Sequence, residues 1–287
     1  MLIPMTDQSQ LFPGKHFIST VLDALDTKTA MSGSLARVYL MRSAMAGGII
    51  GVMYLVYFAV VAAFSDVGSE FIGIGRIVGA LIFGFALVFI YYSKSELLTS
   101  NMMIVSIGAY HRRTTALKAL RILALCYGGN IIGGLAVALL VFGSSLGDGT
   151  VGTLMRGAVD HKLAYLSDGV SGWSDLFVRA ILCNLMINLA MLLVFNGLIK
   201  DDLTKSLAMI VSVFVFAFAG FEHSVANTVL FTMVGLSHGL DLLPALGNLG
   251  IVLLGNFVGG GLLIGYYYAY ANDDARHLRR RGVQPED

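Results

Sequence analysis

Glu222 and His223 stand side by side in GFEHSVAN (220–227), between the apolar runs FVFAFAG and TVLFTMVGL. A carboxylate beside an imidazole offers acid and base catalysis, a metal-ligand pair, or a polar station inside an apolar passage. The first two need further groups. EH has no second histidine at four-residue spacing, and His16, His111, His161, His238 and His277 are assigned to loops or ends, so no metal site is expected and an intramembrane enzyme is disfavoured. A second polar cluster, SKSELLTSN (93–101), interrupts another apolar stretch with Glu96, Thr99 and Asn101.

The two clusters are related. In each, a Glu is followed five residues later by an Asn, giving Glu96 with Asn101 and Glu222 with Asn227. Downstream, GNIIGG (129–134) and GNFVGG (255–260) place Asn130 and Asn256 each 34 residues after its Glu. A constant offset of 126 residues makes the two halves of the chain repeats. Their glycines have the small-residue spacing that lets membrane helices approach closely.

The elements that hold these residues must lie in lipid. The 287 residues are 56% apolar and 13% charged, with a mean hydropathy of +0.78, whereas soluble domains carry about 25% charge. Apolar runs near 42–64, 72–95, 116–142, 176–198, 205–236 and 246–271 exceed the roughly 18 residues that mark a spanning helix. The expected fold is an all-α integral membrane protein of six transmembrane helices. Three spans per half require the second half to be inserted upside down, an inverted repeat, with helices two and five interrupted. Non-helical backbone at that depth survives only inside protein or along a cavity. Charges there cost about 3 kcal/mol on insertion scales, so they need partners and usually a task. The prolines, at 4, 13, 244 and 285, lie outside both interruptions. The freed N–H groups of broken helices suit a small anion.

The basic residues before span one, between spans two and three, between four and five, and after span six all fall on one side, which predicts cytoplasmic termini. Residues 1–41 form a cytoplasmic segment, 42–271 the transmembrane domain (repeats about 42–142 and 176–271), and 272–287 a cytoplasmic tail. No cleaved leader is expected. Phe17, Val21 and Ala24 or Leu25 recur at helical spacing, as in an amphipathic helix lying on the cytoplasmic membrane surface or against a neighbouring subunit, and equally as in a helix of plain packing structure. The net charge of +1, spread without a basic stripe, argues against nucleic acid. Cys126 and Cys183 read as small buried hydrophobes. GIGRIVG (73–79) lies within a span with no preceding strand and is dismissed as a dinucleotide loop.

With GFEHSVAN, SELLTSN (95–101), LCNLMIN (182–188), DHK (160–162) and the two GN-x-x-GG motifs, the chain resembles the formate/nitrite transporter family over roughly residues 15–271. That resemblance implies an aquaporin-like, homopentameric channel in the cytoplasmic membrane, without a cofactor. It implies that His223 meets a small monovalent anion or exchanges a proton with it. Thr99 faces it, and Asn184 and Lys162 fall on the extracytoplasmic side, where the lysine draws anions into a vestibule. It places one apolar constriction at Phe83 and Phe216 and another at Leu87, Leu97 and Leu98. The chain departs from formate channels, which read Gly-Ala-Asp-Leu-Phe-Thr where Lys94 to Thr99 stand here: Leu98 replaces an aromatic and Lys94 adds a charge.

Glu96 and Glu222 are expected to be structural, bonded to loop N–H groups, since an anion path gains nothing from free carboxylates. Asn130 and Asn256 are expected to bind the interrupted loops, which Asn101 and Asn227 also support. The leading expectation is pH-sensitive conduction of formate down its gradient, with proton coupling open; nitrite, hydrosulfide, acetate and lactate are the alternatives. The paired Asn-Pro-Ala loops of water channels are missing.

Overall fold

The computed structural model describes residues 12–280, which form helices and short connections. In chain order the helices are α1 Lys15–Ser34, α2 Ala36–Val67, α3 Ile72–Phe83, α4 Phe85–Tyr92, α5 Leu98–Tyr110, α6 Ala116–Phe142, α7 Gly149–Ser167, α8 Gly169–Phe195, α9 Asp202–Phe218, α10 Ser224–His238 and α11 Leu242–Asn256. A π-helical stretch, Phe257–Tyr266, carries α11 into α12 (Tyr267–Ala271), and α13 (Asp274–Arg280) follows.

Lipid offers a backbone no hydrogen-bond partners, so a spanning segment must satisfy itself as helix. Five segments are long and apolar enough to cross: Ala36–Val67, Ser69–Tyr92, Ala116–Phe142, Gly169–Phe195 and Leu242–Ala271. The fifth crossing in chain order is divided between α9 and α10, of 17 and 15 residues. The second is also broken, between α4 and α5. The distribution of polarity is inside out. Leu120, Leu140, Leu246 and Leu254 are more than 60% exposed, while Asn101, Asn130, Asn184, Asn188, Asn227, Asn248 and Asn256 are at most 1% exposed.

The helices approach closely where the glycines stand. A Cβ on Gly133 would lie 1.7 Å from the Ala44 carbonyl oxygen, so α6 presses its backbone on α2. In the second half a Cβ on Gly259 would lie 2.1 Å from the Ile181 oxygen, pressing the π-helical stretch on α8.

The amphipathic helix α1 takes the packing role among its expected ones, lying on the body of its own chain: Phe17, Val21 and Leu25 are fully buried, and the Phe17 and Tyr268 rings meet edge to face at 5.9 Å. Lys15 pairs with Asp274 and the Gly14 amide donates to Asn272 Oδ1 at 2.8 Å, so the two ends of the described chain share one face, the terminal face. One expectation needs correction: His161 lies inside helix α7 rather than in a loop, while His16 and His277 stand in the first and last described helices and His238 is the last residue of α10. α7 arises inside the polar 143–175 segment and brings His161 and Lys162 toward the far face.

Candidate functional site

Each interruption is closed by one buried asparagine. Asn130 Nδ2 donates to the carbonyls of Ser43 (2.7 Å) and Glu96 (2.9 Å), and its Oδ1 accepts the Leu98 amide (3.1 Å). Asn256 Nδ2 donates to Ala180 (2.8 Å) and Glu222 (2.9 Å), and its Oδ1 accepts the Ser224 amide (2.9 Å). The Glu96 and Glu222 amides donate to the carbonyls of Arg42 and Arg179, at 3.2 and 3.3 Å. The backbone freed by each break is thereby paired again.

The two glutamates bind lysines, not loop amides. Lys28, on α1, pairs with Glu96. Lys162 donates to both oxygens of Glu222 at 2.8 Å. A buried carboxylate is costly alone, and a cation offsets it better than a neutral N–H. Asn101 Nδ2 donates to Glu96 Oε2 at 3.2 Å and to the Tyr39 hydroxyl at 2.9 Å. Asn227 Nδ2 donates to Glu222 Oε2 at 2.6 Å and to Asn248 Oδ1 at 3.0 Å. Lys162 is only 9% exposed. Burial works against its ammonium, but the Glu222 carboxylate outweighs that, and the pKa is raised above the ordinary 10.5. Its charge is balanced inside the protein, so it is no free vestibule cation.

At the centre, His223 Nε2 lies 3.3 Å from Thr99 Oγ1. His223 Nδ1 caps α10, accepting the amides of Val225 (3.1 Å) and Ala226 (3.2 Å). With Nδ1 an acceptor, the neutral ring carries its hydrogen on Nε2 and donates toward Thr99. Asn184 and Asn188 donate to the Thr99 carbonyl at 3.1 and 3.2 Å. Asn184, fully buried, also donates to the Asn256 carbonyl at 2.7 Å. It lines none of the three cavities of this region. Gly260 makes room for it, because a Cβ there would lie 2.4 Å from Asn184 Nδ2.

Three spaces follow one another through this region. A cavity of about 560 Å³ at the far face is lined by Arg76, His161, Lys162, Arg179 and Glu222 and reaches Phe83, Phe216 and His223. Those last three also line a small apolar chamber of about 20 Å³, bounded by Leu87, Ile90 and Leu97. Leu87, Ile90 and Leu97 in turn line a cavity of about 310 Å³ at the terminal face, with Lys28, Arg42, Lys94 and Glu96. The Phe83 and Phe216 rings meet edge to face at 6.3 Å, and Phe216 stacks on His223 at 5.9 Å. Leu98 lines none of these spaces. Its amide is held by Asn130, its side chain is 2% exposed, and Ile90 stands at the constriction instead.

The chain matches the Formate/nitrite transporter family over residues 15–270. It belongs to that family. The family consists of channels and transporters rather than enzymes, and this member is a multi-pass membrane protein. It is similar to the formate channel FocA of Escherichia coli (strain K12), 28% identical with 81% of this chain and 86% of FocA covered. It is also similar to the nitrite transporter NirC of Salmonella typhimurium, 29% identical with 80% of this chain and 81% of NirC covered. Among solved structures, an FNT family ion channel superposes with a TM-score of 0.76 at 26% identity, covering 89% of this chain and 98% of that one. A pentameric formate channel with formate bound matches in fold, with a TM-score of 0.64 at 24% identity over 82% of this chain and 96% of that one.

Residues that sequence reasoning left unassigned include Lys28, Arg76, Ile90, Asn188 and Asn248. Asn188 stood within the quoted LCNLMIN motif. Arg76 stood inside an apolar span, where any charge is a functional signal. Among the described residues no three His, Cys, Asp or Glu side chains gather into a metal-holding group.

Proposed function

We propose that this protein conducts small monovalent anions, with formate as the preferred permeant and nitrite as the runner-up. The observation that supports this most is His223, which lines the chamber between an aromatic gate and an aliphatic one and lies 3.3 Å from Thr99 Oγ1. His223 carries its hydrogen on Nε2, donating toward Thr99, and its ring borders the chamber. A polar donor between apolar constrictions suits a small, partly dehydrated anion. The chamber of about 20 Å³ holds about one water. A three-heavy-atom anion passes only when the Phe83, Phe216, Leu87 and Leu97 side chains swing aside.

The cap on α10 bears on proton traffic. Giving up the Nε2 proton would leave an imidazolate unless Nδ1 gained one, and a proton on Nδ1 would face the Val225 and Ala226 N–H groups directly. Hydrogen-bond donation to a passing anion is therefore favoured over its protonation by His223. A coupled proton requires the cap to open.

The terminal face carries the basic connections and is assigned to the cytoplasm, in the cell membrane. The exposed apolar helix faces suit lipid and neighbouring copies in a homopentamer. Proteoliposomes loaded with the purified protein test the reading through formate, nitrite, hydrosulfide, lactate and chloride fluxes between about pH 5 and 8. Fast formate flux with chloride excluded supports it. Preference for nitrite transfers it to the runner-up, and no flux of any small anion overturns it.

A further inference from the structure

Lys94 adopts a backbone conformation that lysine does not favour. Its φ is 55°, in the left-handed region, and the residue 126 positions on, Gly220, has φ 69°. Both stand in the same turn: the Ser95 amide donates to Ile90 O at 3.0 Å, and in the other half the Phe221 amide donates to Phe216 O at 2.9 Å. Glycine takes this conformation freely and lysine does so under strain. The turn itself therefore has no use for a side chain, and whatever Lys94 contributes lies beyond it.

Its surroundings indicate what that is. Lys94 is exposed and lines the terminal-face cavity. Its ammonium lies 4.9 Å above the Tyr91 ring, another lining group. Among the described residues no carboxylate pairs with it, whereas Lys28 in the same cavity is bound to Glu96. A solvated point charge on a flexible stem raises the local concentration of anions without holding them tightly.

We propose that Lys94 is an anion-contacting residue of the terminal-face vestibule, which captures small carboxylates and similar monovalent anions at that mouth. This rests on the anion-channel reading. At the far-face mouth the equivalent position is Gly220, where the Arg179 guanidinium donates to the Gly220 carbonyl at 3.2 Å and is paired with Asp175.

The test uses the full chain in proteoliposomes, with formate and nitrite as probes. Lys94→Gly suits the turn, so its unfolding temperature should equal or exceed that of the unsubstituted protein. Its flux at low anion concentration should fall about threefold, and the difference should shrink at high ionic strength. In Lys94→Cys, a cationic thiol reagent should restore the flux and an anionic reagent of similar size should lower it further. The native Cys126 and Cys183 are fully buried and out of reach. Unchanged flux in Lys94→Gly, or flux that follows reagent size instead of charge, overturns the assignment while leaving the channel reading intact. Absence of flux for both probes in the unsubstituted protein overturns that reading and this assignment together.

Discussion

Asn130 and Asn256, in opposite halves of the chain, close the two broken helices with the same three hydrogen bonds. Each takes one amide after the break and supplies its amide hydrogens to the carbonyl of the Glu at the break and to one carbonyl of a neighbouring helix. The shared geometry makes the two breaks structural images of each other.

Asn130→Ala removes the partner of the Leu98 amide and the Glu96 carbonyl, and Asn256→Ala that of the Ser224 amide and the Glu222 carbonyl, two buried backbone groups at each break, which costs about 2–3 kcal/mol. A matching drop in the unfolding temperature of the purified protein checks this. Equal stability to the unsubstituted chain would mean that the breaks are held by other contacts.

Lys162→Met leaves the Glu222 carboxylate buried without its cation, at a cost of about 3–5 kcal/mol. The double variant Lys162→Met with Glu222→Gln removes both charges and should recover most of that loss in a double-mutant cycle. A lysine with a raised pKa contributes stability that is complete below its ordinary 10.5 and lost only as pH climbs through the higher folded value. Between about pH 5 and 8 this pair is therefore constant. If Lys162→Gln abolishes a pH dependence of flux in that window, the pair has been misread.

Arg76 lines the far-face cavity with no hydrogen bond or ion pair among the described residues, while Lys162 is matched by Glu222 and Arg179 by Asp175 at 2.9 Å. It is the uncompensated cation of that mouth. Arg76→Gln should lower flux at low anion concentration about threefold, with the difference fading as salt is raised. Flux independent of residue 76 at every ionic strength would place the attraction elsewhere.

The sequence made the repeat legible because the break and its closing asparagine keep one offset in both halves. The flanking helices do not keep it. Arg42 precedes Glu96 by 54 residues and Arg179 precedes Glu222 by 43, so the helix pairs that complete each break lie outside the pattern. The partner of Glu96 was hidden for the same reason: Lys28 lies 68 residues away on α1, a helix whose apolar stripe does not state what it packs against. Leu98 was misplaced because its position in a motif does not fix where a side chain points once Asn130 has captured its amide. Asn188 was in view but needed the opened Thr99 carbonyl to have a meaning.

Phe216 both guards the chamber and stacks on His223 at 5.9 Å. Phe216→Ala should admit lactate or chloride more readily relative to formate, measured as a flux ratio, while costing about 3 kcal/mol of stability. An unchanged ratio would remove the ring from selectivity.

The most direct measurement compares His223→Asn with the unsubstituted protein in proteoliposome formate flux. Asparagine is a good helix N-cap, so its Oδ1 can keep accepting the α10 amides while the donor facing Thr99 disappears. The account predicts an unfolding temperature close to that of the unsubstituted chain and flux lower by about tenfold, the effect of losing one charge-directed hydrogen bond. Undiminished flux in a well-folded His223→Asn protein would contradict it, and would reduce the histidine to a cap.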